Sequence, residues 1–251
     1  MLSPRSVTGV DETSRFVRTL VNDSESNLFN LRNGFSSVLR AHERMRAKGQ
    51  KLANVMKVFA ERETPGVKAC LVAAAETVTE VEKLRKEMQD RVNLKCREPL
   101  GMYASICDGV LDDLKVREVA IRKEQEKQLQ LDRIQVRESG NRTKINQGHI
   151  ELSGASHEAT TSSLALTDTV ERFELKKVTD IKSCMQEFVY SQMQFHAKSL
   201  EIYTDLMALI NSTDFDADVD DVCDRIRPQA PKEGLAGNGS ASRRPTMTAQ
   251  R

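Results

Sequence analysis

Residues 28–59 read LFNLRNGFSSVLRAHERMRAKGQKLANVMKVF, and a seam runs through them: Leu28, Leu31, Phe35, Val38, His42, Met45, Gly49, Leu52, Met56 and Phe59. The spacings alternate between three and four residues. An apolar seam that returns every ~3.5 residues belongs to helices that pack along their whole length. Val17 and Val21 lead into it, so the spacing predicts one straight helix from about Asp11 to Arg62. The fold expected is all-α and elongated, with function carried by the shape and charge of its outside.

The same pattern recurs downstream. Thr64-Pro65 offers a cap residue followed by proline at the first helical position, which starts a second helix. Its seam takes in Val67, Leu71, Ala74, Val78, Val81, Met88 and Val92, then resumes beyond Pro99 with Leu100, Tyr103, Cys107, Val110, Leu114, Ile121, Gln128 and Leu131. Pro99, with Gly101 behind it, is expected to kink this helix without ending it. Ser139-Gly140-Asn141 closes it, with glycine as a left-handed cap, and a third helix opens near Thr143. That helix carries Ile145, Leu152, Ala159, Leu166, Val170, Phe173, Cys184, Phe188, Phe195, Ile202 and Leu209. Residues 66–138 would span roughly 110 Å at helical rise. Three such helices in an antiparallel rod are too thin to bury a conventional core. An apolar stripe is left over on each chain, and a homodimer is expected.

Composition agrees. Of 251 residues, 30% are charged, 4% are aromatic and none is Trp, as in long helices with narrow seams rather than a globule with a deep pocket. The longest apolar run, Cys70 to Ala75, falls far short of the ~20 residues that span a bilayer. The opening MLSPRSVTG lacks a secretory apolar core, and the five dispersed cysteines read as reduced thiols, which together point to a cytosolic chain. Residues 1–10 are expected to be flexible, and residues 213–251 to form an acidic, then Pro/Gly/Ser-rich, disordered tail. The run DFDADVDDVCD superficially resembles a calcium loop. However, Val219 and Arg225 stand where that loop needs Gly and Glu, so it reads as a solvated acidic tail. His42 and His149 sit on seam positions as register-setting polar residues. The chain has no phosphate loop, nucleophile elbow or H-E-x-x-H, so neither catalysis nor a cofactor or metal is expected.

Basic residues carry more information. Arg40, Arg44, Arg46, Lys48 and Lys51 crowd the first helix and all avoid its seam. A second set, Lys115, Arg117, Arg122, Lys123, Lys127, Arg133, Arg137, Arg142 and Lys144, surrounds the turn between the second and third helices. Nine cations less five acids (Glu118, Glu124, Glu126, Asp132, Glu138) leave +4 over residues 115–144. A solvated helix face is the ordinary explanation. The functional one is attraction to anionic phospholipid, phosphoinositides among them, at ~1 kcal/mol for each cation near the surface. Nucleic acid is disfavoured, because stacking aromatics are missing and acids interrupt the cations.

Three stretches narrow the reading: ERETPGVKACL (61–71), CREPLGMYASICDGVLDDLK (96–115) and ERFELKKVTDIKSCMQEFVYSQMQFHAKSLEIYT (171–204). Together with VLRAHERMRAKGQKL (38–52), they resemble the Chibby-interacting BAR-domain family of ciliary proteins over roughly residues 15–212. The resemblance implies a BAR-like three-helix domain over 11–212 that pairs into a crescent-shaped homodimer, with Pro99 supplying part of the curvature. It implies a scaffold that binds and curves anionic membranes and acts with a Chibby-like coiled-coil partner in ciliogenesis. The location implied is the cytoplasmic face of a membrane at the ciliary base or centriole. A coiled-coil adaptor at the basal body without lipid contact is the alternative, and shaping of the mitochondrial inner membrane a lesser one. In place of the family's extra cations after Tyr103, this chain has SICDGVLDD, which moves the expected contact toward the tips.

Overall fold

The computed structural model describes residues 7–227; the expectations for residues 1–6 and 228–251 lie outside it. The chain runs α1 (Val7–Ala60), α2 (Pro65–Val92), a π-helical segment (Asn93–Arg97), α3 (Glu98–Leu100), α4 (Tyr103–Arg137), α5 (Arg142–Ser212) and α6 (Phe215–Ile226), with no strand among the described residues. α5 alone has 71 residues, about 105 Å of helix. α1 begins four residues earlier than its expected start at Asp11.

One register organises the rod. α1 runs antiparallel to the α2–α4 line: Arg117 donates to Ser14 at 3.2 Å, the Cys107 thiol lies 3.9 Å from the Val21 carbonyl, and Arg85 meets His42 at 3.4 Å. α5 returns along the same line, with Lys127 on Glu151, Tyr103 on Asp180 and Arg91 on Glu187, each at 2.8 Å. The middle of the rod is therefore three helices thick. Val21, Leu28 and Phe35 from α1, Cys96, Tyr103, Cys107 and Leu114 from the central line, and Leu166, Phe173 and Cys184 from α5 fill it. Burial pushes the Cys107 thiol up to about 11 and the Cys184 thiol up to about 12, so neither is a nucleophile. Ala120, Ile121 and Ala159 form a small cluster between α4 and α5, and beyond the start of α1 the rod continues as a two-helix arm of α4 and α5.

The bend in the central line starts earlier than Pro99 suggests. Proline has no amide to give the carbonyl four residues back, and the chain meets this with a wider turn: the Glu98 amide donates to the Asn93 carbonyl, five residues back. The interruption spans Asn93–Met102, with Pro99 inside it. At the far turn, Gly140 does not take the left-handed conformation expected of it. α4 instead ends on Glu138, whose amide donates to the Ile134 carbonyl at 2.8 Å, and Asn141 opens α5, its side chain accepting from the Lys144 amide at 3.2 Å.

The α1 seam turns out of the core partway along. Leu28 and Phe35 are buried, yet Met45, Leu52 and Phe59 are about half exposed, while Ala53 and Ala60 face inward. A 3.5-residue repeat on a straight 3.6-residue helix drifts ~20° per heptad, so four heptads carry the stripe roughly 80° around the helix. His149 is exposed rather than on the seam, and only His42 lies partly inside.

The acidic segment departs furthest from expectation. Residues 215–226 form α6, opened by Asp214, whose side chain accepts from the Asp216 and Ala217 amides. α6 folds back on α2, and Asp218 accepts from the Gly66 and Val67 amides at 3.0 and 2.7 Å. Asp218 thus takes the capping role expected of Thr64, whose side chain makes no cap bond. These bonds hold its carboxyl below the usual range. Gly66 is needed there, because a Cβ would stand 2.6 Å from Asp218 Oδ2.

Candidate functional site

The predicted cations divide into two patches, one on α1 and one on the arm. On α1, Arg40, Arg44, Lys48 and Lys51 are exposed, and steps of four, four and three place them within about 80° of one another, opposite Ala53 and Ala60. None of the four has an ion pair with a described residue. Arg46 leaves the set: it is half-buried and clamps Glu43 through two bonds of 3.1 and 2.5 Å. That contact raises the guanidinium and lowers the carboxyl.

On the arm the lysines are consumed and the arginines are not. Lys123 pairs with Glu158 at 2.6 Å, Lys127 with Glu151 at 2.8 Å, and Lys144 with Glu138 at 2.7 Å. The first two pairs tie α4 to α5, and Lys127 holds the Glu151 carboxyl low. Arg122, Arg133, Arg137 and Arg142 are exposed and meet no carboxylate among the described residues. The register that aligns Lys123 and Lys127 with acids on α5 turns Arg122 and Arg133 outward, opposite the buried Leu131. Between the patches the surface is acidic: Asp108, Asp112 and Asp113 follow Tyr103, and Lys115 is held by Asp112 at 2.8 Å.

Sequence reasoning missed a buried charge cluster below the α1 patch. Arg85 and Glu82 pair at 2.9 Å with side chains only 8% and 7% exposed. The Arg85 guanidinium also lies 4.8 Å above the Phe195 ring and reaches His42. Burial and then Arg85 hold the His42 pKa below its ordinary value. Gly49 admits Glu82 to this position, since a Cβ would stand 2.6 Å from its Oε1. No motif announces the cluster; the only signal is two charges, Glu82 and Arg85, next to seam positions. α6 was legible in part, because Asp214 is a good cap residue before Val219 and Val222.

Large apolar side chains remain uncovered along one face of α5 and one face of α1. Val178, Val189, Met193, Leu200 and Met207 of α5 and Met45, Leu52, Val55 and Phe59 of α1 are roughly half or more exposed. A cleft of about 440 Å³ between α2 and α5 is open to solvent and floored by Leu84, Met88 and Phe195. Among the described residues, no three His, Cys, Asp or Glu side chains gather as a metal site, and no helix is long and apolar enough to cross a membrane.

The comparisons agree on family and on fold. The profile of the FAM92 protein family matches residues 6–220. CBY1-interacting BAR domain-containing protein 1 of Bos taurus is 32% identical over 225 residues, covering 90% of this chain and 78% of its own. The Danio rerio protein of the same name is 31% identical over 218 residues, at 87% and 74% coverage. Among solved structures, the amphiphysin BAR domain from Drosophila superposes with a TM-score of 0.63 at 15% identity over 87% of this chain and 96% of that one. The F-BAR domain of Hof1p gives 0.50 at 9% identity over 88% and 94%.

Proposed function

Because the chain belongs to the FAM92 family and folds as an all-α BAR scaffold, we propose that it binds and curves anionic membranes as an antiparallel homodimer. The set of bare arginines on the arm carries this reading. Arg122, Arg133, Arg137 and Arg142 keep four positive charges in water beside lysines that neighbouring acids have neutralised. Each contributes ~1 kcal/mol near an anionic leaflet, so one arm supplies ~4 kcal/mol, and two rigidly linked arms convert that into avidity. The stripes on α5 and α1 support the dimer, since exposed apolar surface of that extent is ordinarily covered by a second chain. The relatives' name supports a Chibby-like partner, and with it a place at the ciliary base.

Co-sedimentation with phosphoinositide-containing vesicles at ~0.1 M salt, where the Debye length is still ~10 Å, tests the lipid contact. Wild type should pellet. Arg122, Arg133, Arg137 and Arg142 changed together to Glu should abolish pelleting without loss of helicity, and unchanged pelleting would place the contact elsewhere. Analytical ultracentrifugation at micromolar concentration should find dimers; monomers alone would end the scaffold reading. The adaptor reading draws on the ion pairs of Lys123, Lys127 and Lys144, which remove three of the seven predicted arm cations. It requires partner capture that survives the charge reversal, with no tubulation.

A further inference from the structure

Resting on the lipid reading above, we propose that the outer face of α4 in the arm inserts apolar side chains at the boundary between headgroups and acyl chains, rather than resting on surface charge. Arg122, Leu129, Arg133 and Val136 follow one another at steps of seven, four and three, which puts them within about 60° on the helix surface. That face points away from Leu131, which is 2% exposed and seals α4 against α5. Leu129 is 55% exposed and Val136 82%, the highest exposure of any large apolar side chain among the described residues.

A helix that alternates arginine with aliphatic residues on one exposed face suits the interface of a bilayer. The guanidinium groups reach phosphates while their stems and the aliphatic side chains enter the acyl boundary. Charge selects the occupant. Arg122, Arg133 and Arg137 meet no carboxylate among the described residues, while Glu126 shares their face and Asp132 at its border is held by Gln128 at 2.8 Å. Three cations against two acids leave this exposed apolar strip net positive, which matches an anionic leaflet better than another patch of this chain's mixed charge. On the other side of the arm, Ile150 is also exposed, at 67%, but lies on the outward face of α5 between the half-buried Gly148 and Leu152.

The absence of Trp from the chain makes the test direct. Full-length L129W, V136W and I150W, checked for helicity, are mixed with phosphatidylcholine vesicles containing phosphatidylserine, with and without brominated acyl chains. The proposal expects all three to pellet, L129W and V136W to shift to the blue and be quenched by bromine, and I150W to do neither. Pelleting with unshifted L129W and V136W, or with all three shifted alike, overturns one-sided insertion and leaves the lipid reading standing. If wild type does not pellet, both fail. A shift without vesicles, accompanied by faster sedimentation, assigns the face to contacts between copies and overturns the proposal. The L129S/V136S double variant adds a second readout. At ~1 M salt, where the Debye length is ~3 Å, wild type keeps a residual affinity that the double variant loses by about tenfold or more. Equal affinities there overturn insertion.

Discussion

The middle of the rod and its arm share one register and one spacing, yet they hold together differently. In the middle, three helices meet, and Val21, Cys96, Cys107 and Leu114 are completely buried. At the root of the arm, α4 and α5 meet over the small residues Ala120 and Ala159, with Ile121 still 8% exposed. Ion pairs between α4 and α5 supplement that thin seam, at only ~0–1 kcal/mol each for exposed pairs. The thick region stores stability, whereas the thin one presents surface. A scaffold that must reach outward can leave arginines bare on its arm because the arm's fold does not depend on them.

Substitution can break this comparison. Leu114→Ala should cost about 4 kcal/mol, read from urea unfolding, because its cavity is enclosed on all sides. Ile121→Ala at the root of the arm should cost nearer to 2 kcal/mol, since solvent already reaches the site. Equal losses would show that the arm is as tightly packed as the middle.

The buried charge cluster below the α1 patch falls between these two. Arg85→Ala leaves the Glu82 carboxylate buried without its partner and should destabilise by roughly 3 kcal/mol. If Arg85→Ala unfolds at the same urea concentration as wild type, the cluster is wetter than its geometry indicates. A smaller pH effect accompanies it. His42 faces Arg85 and Glu82 from α2 and His196 from α5, and its pKa is held below the ordinary 6.5. A histidine with a depressed folded pKa favours the folded state above 6.5, and that advantage is lost as pH falls from there through the folded value. Wild type should therefore lose stability on acidification below 6.5 while His42→Gln loses less, and parallel pH profiles would remove His42 from the account.

Much of this molecule can be read from the chain. The 3.5-residue seam, the Thr64-Pro65 and Ser139-Gly140-Asn141 turns, and the long Pro-free stretches fix three long helices and their antiparallel order. They do so because hydrophobic periodicity and helix punctuation are local physics, present in any window of the sequence. The sequence likewise locates both groups of cations.

Which of those cations are free was settled only by tertiary structure. Pairing depends on which acid the neighbouring helix presents at the same level, and the α4–α5 register gives Glu158 to Lys123 and Glu151 to Lys127 but nothing to Arg122 or Arg133. The inward half of the α1 seam was open for the same kind of reason, since a drifting stripe becomes core only where a neighbour happens to cover it. Asp218 makes the point most sharply, because its bonds at Gly66 and Val67 join residues about 150 positions apart that no local pattern connects.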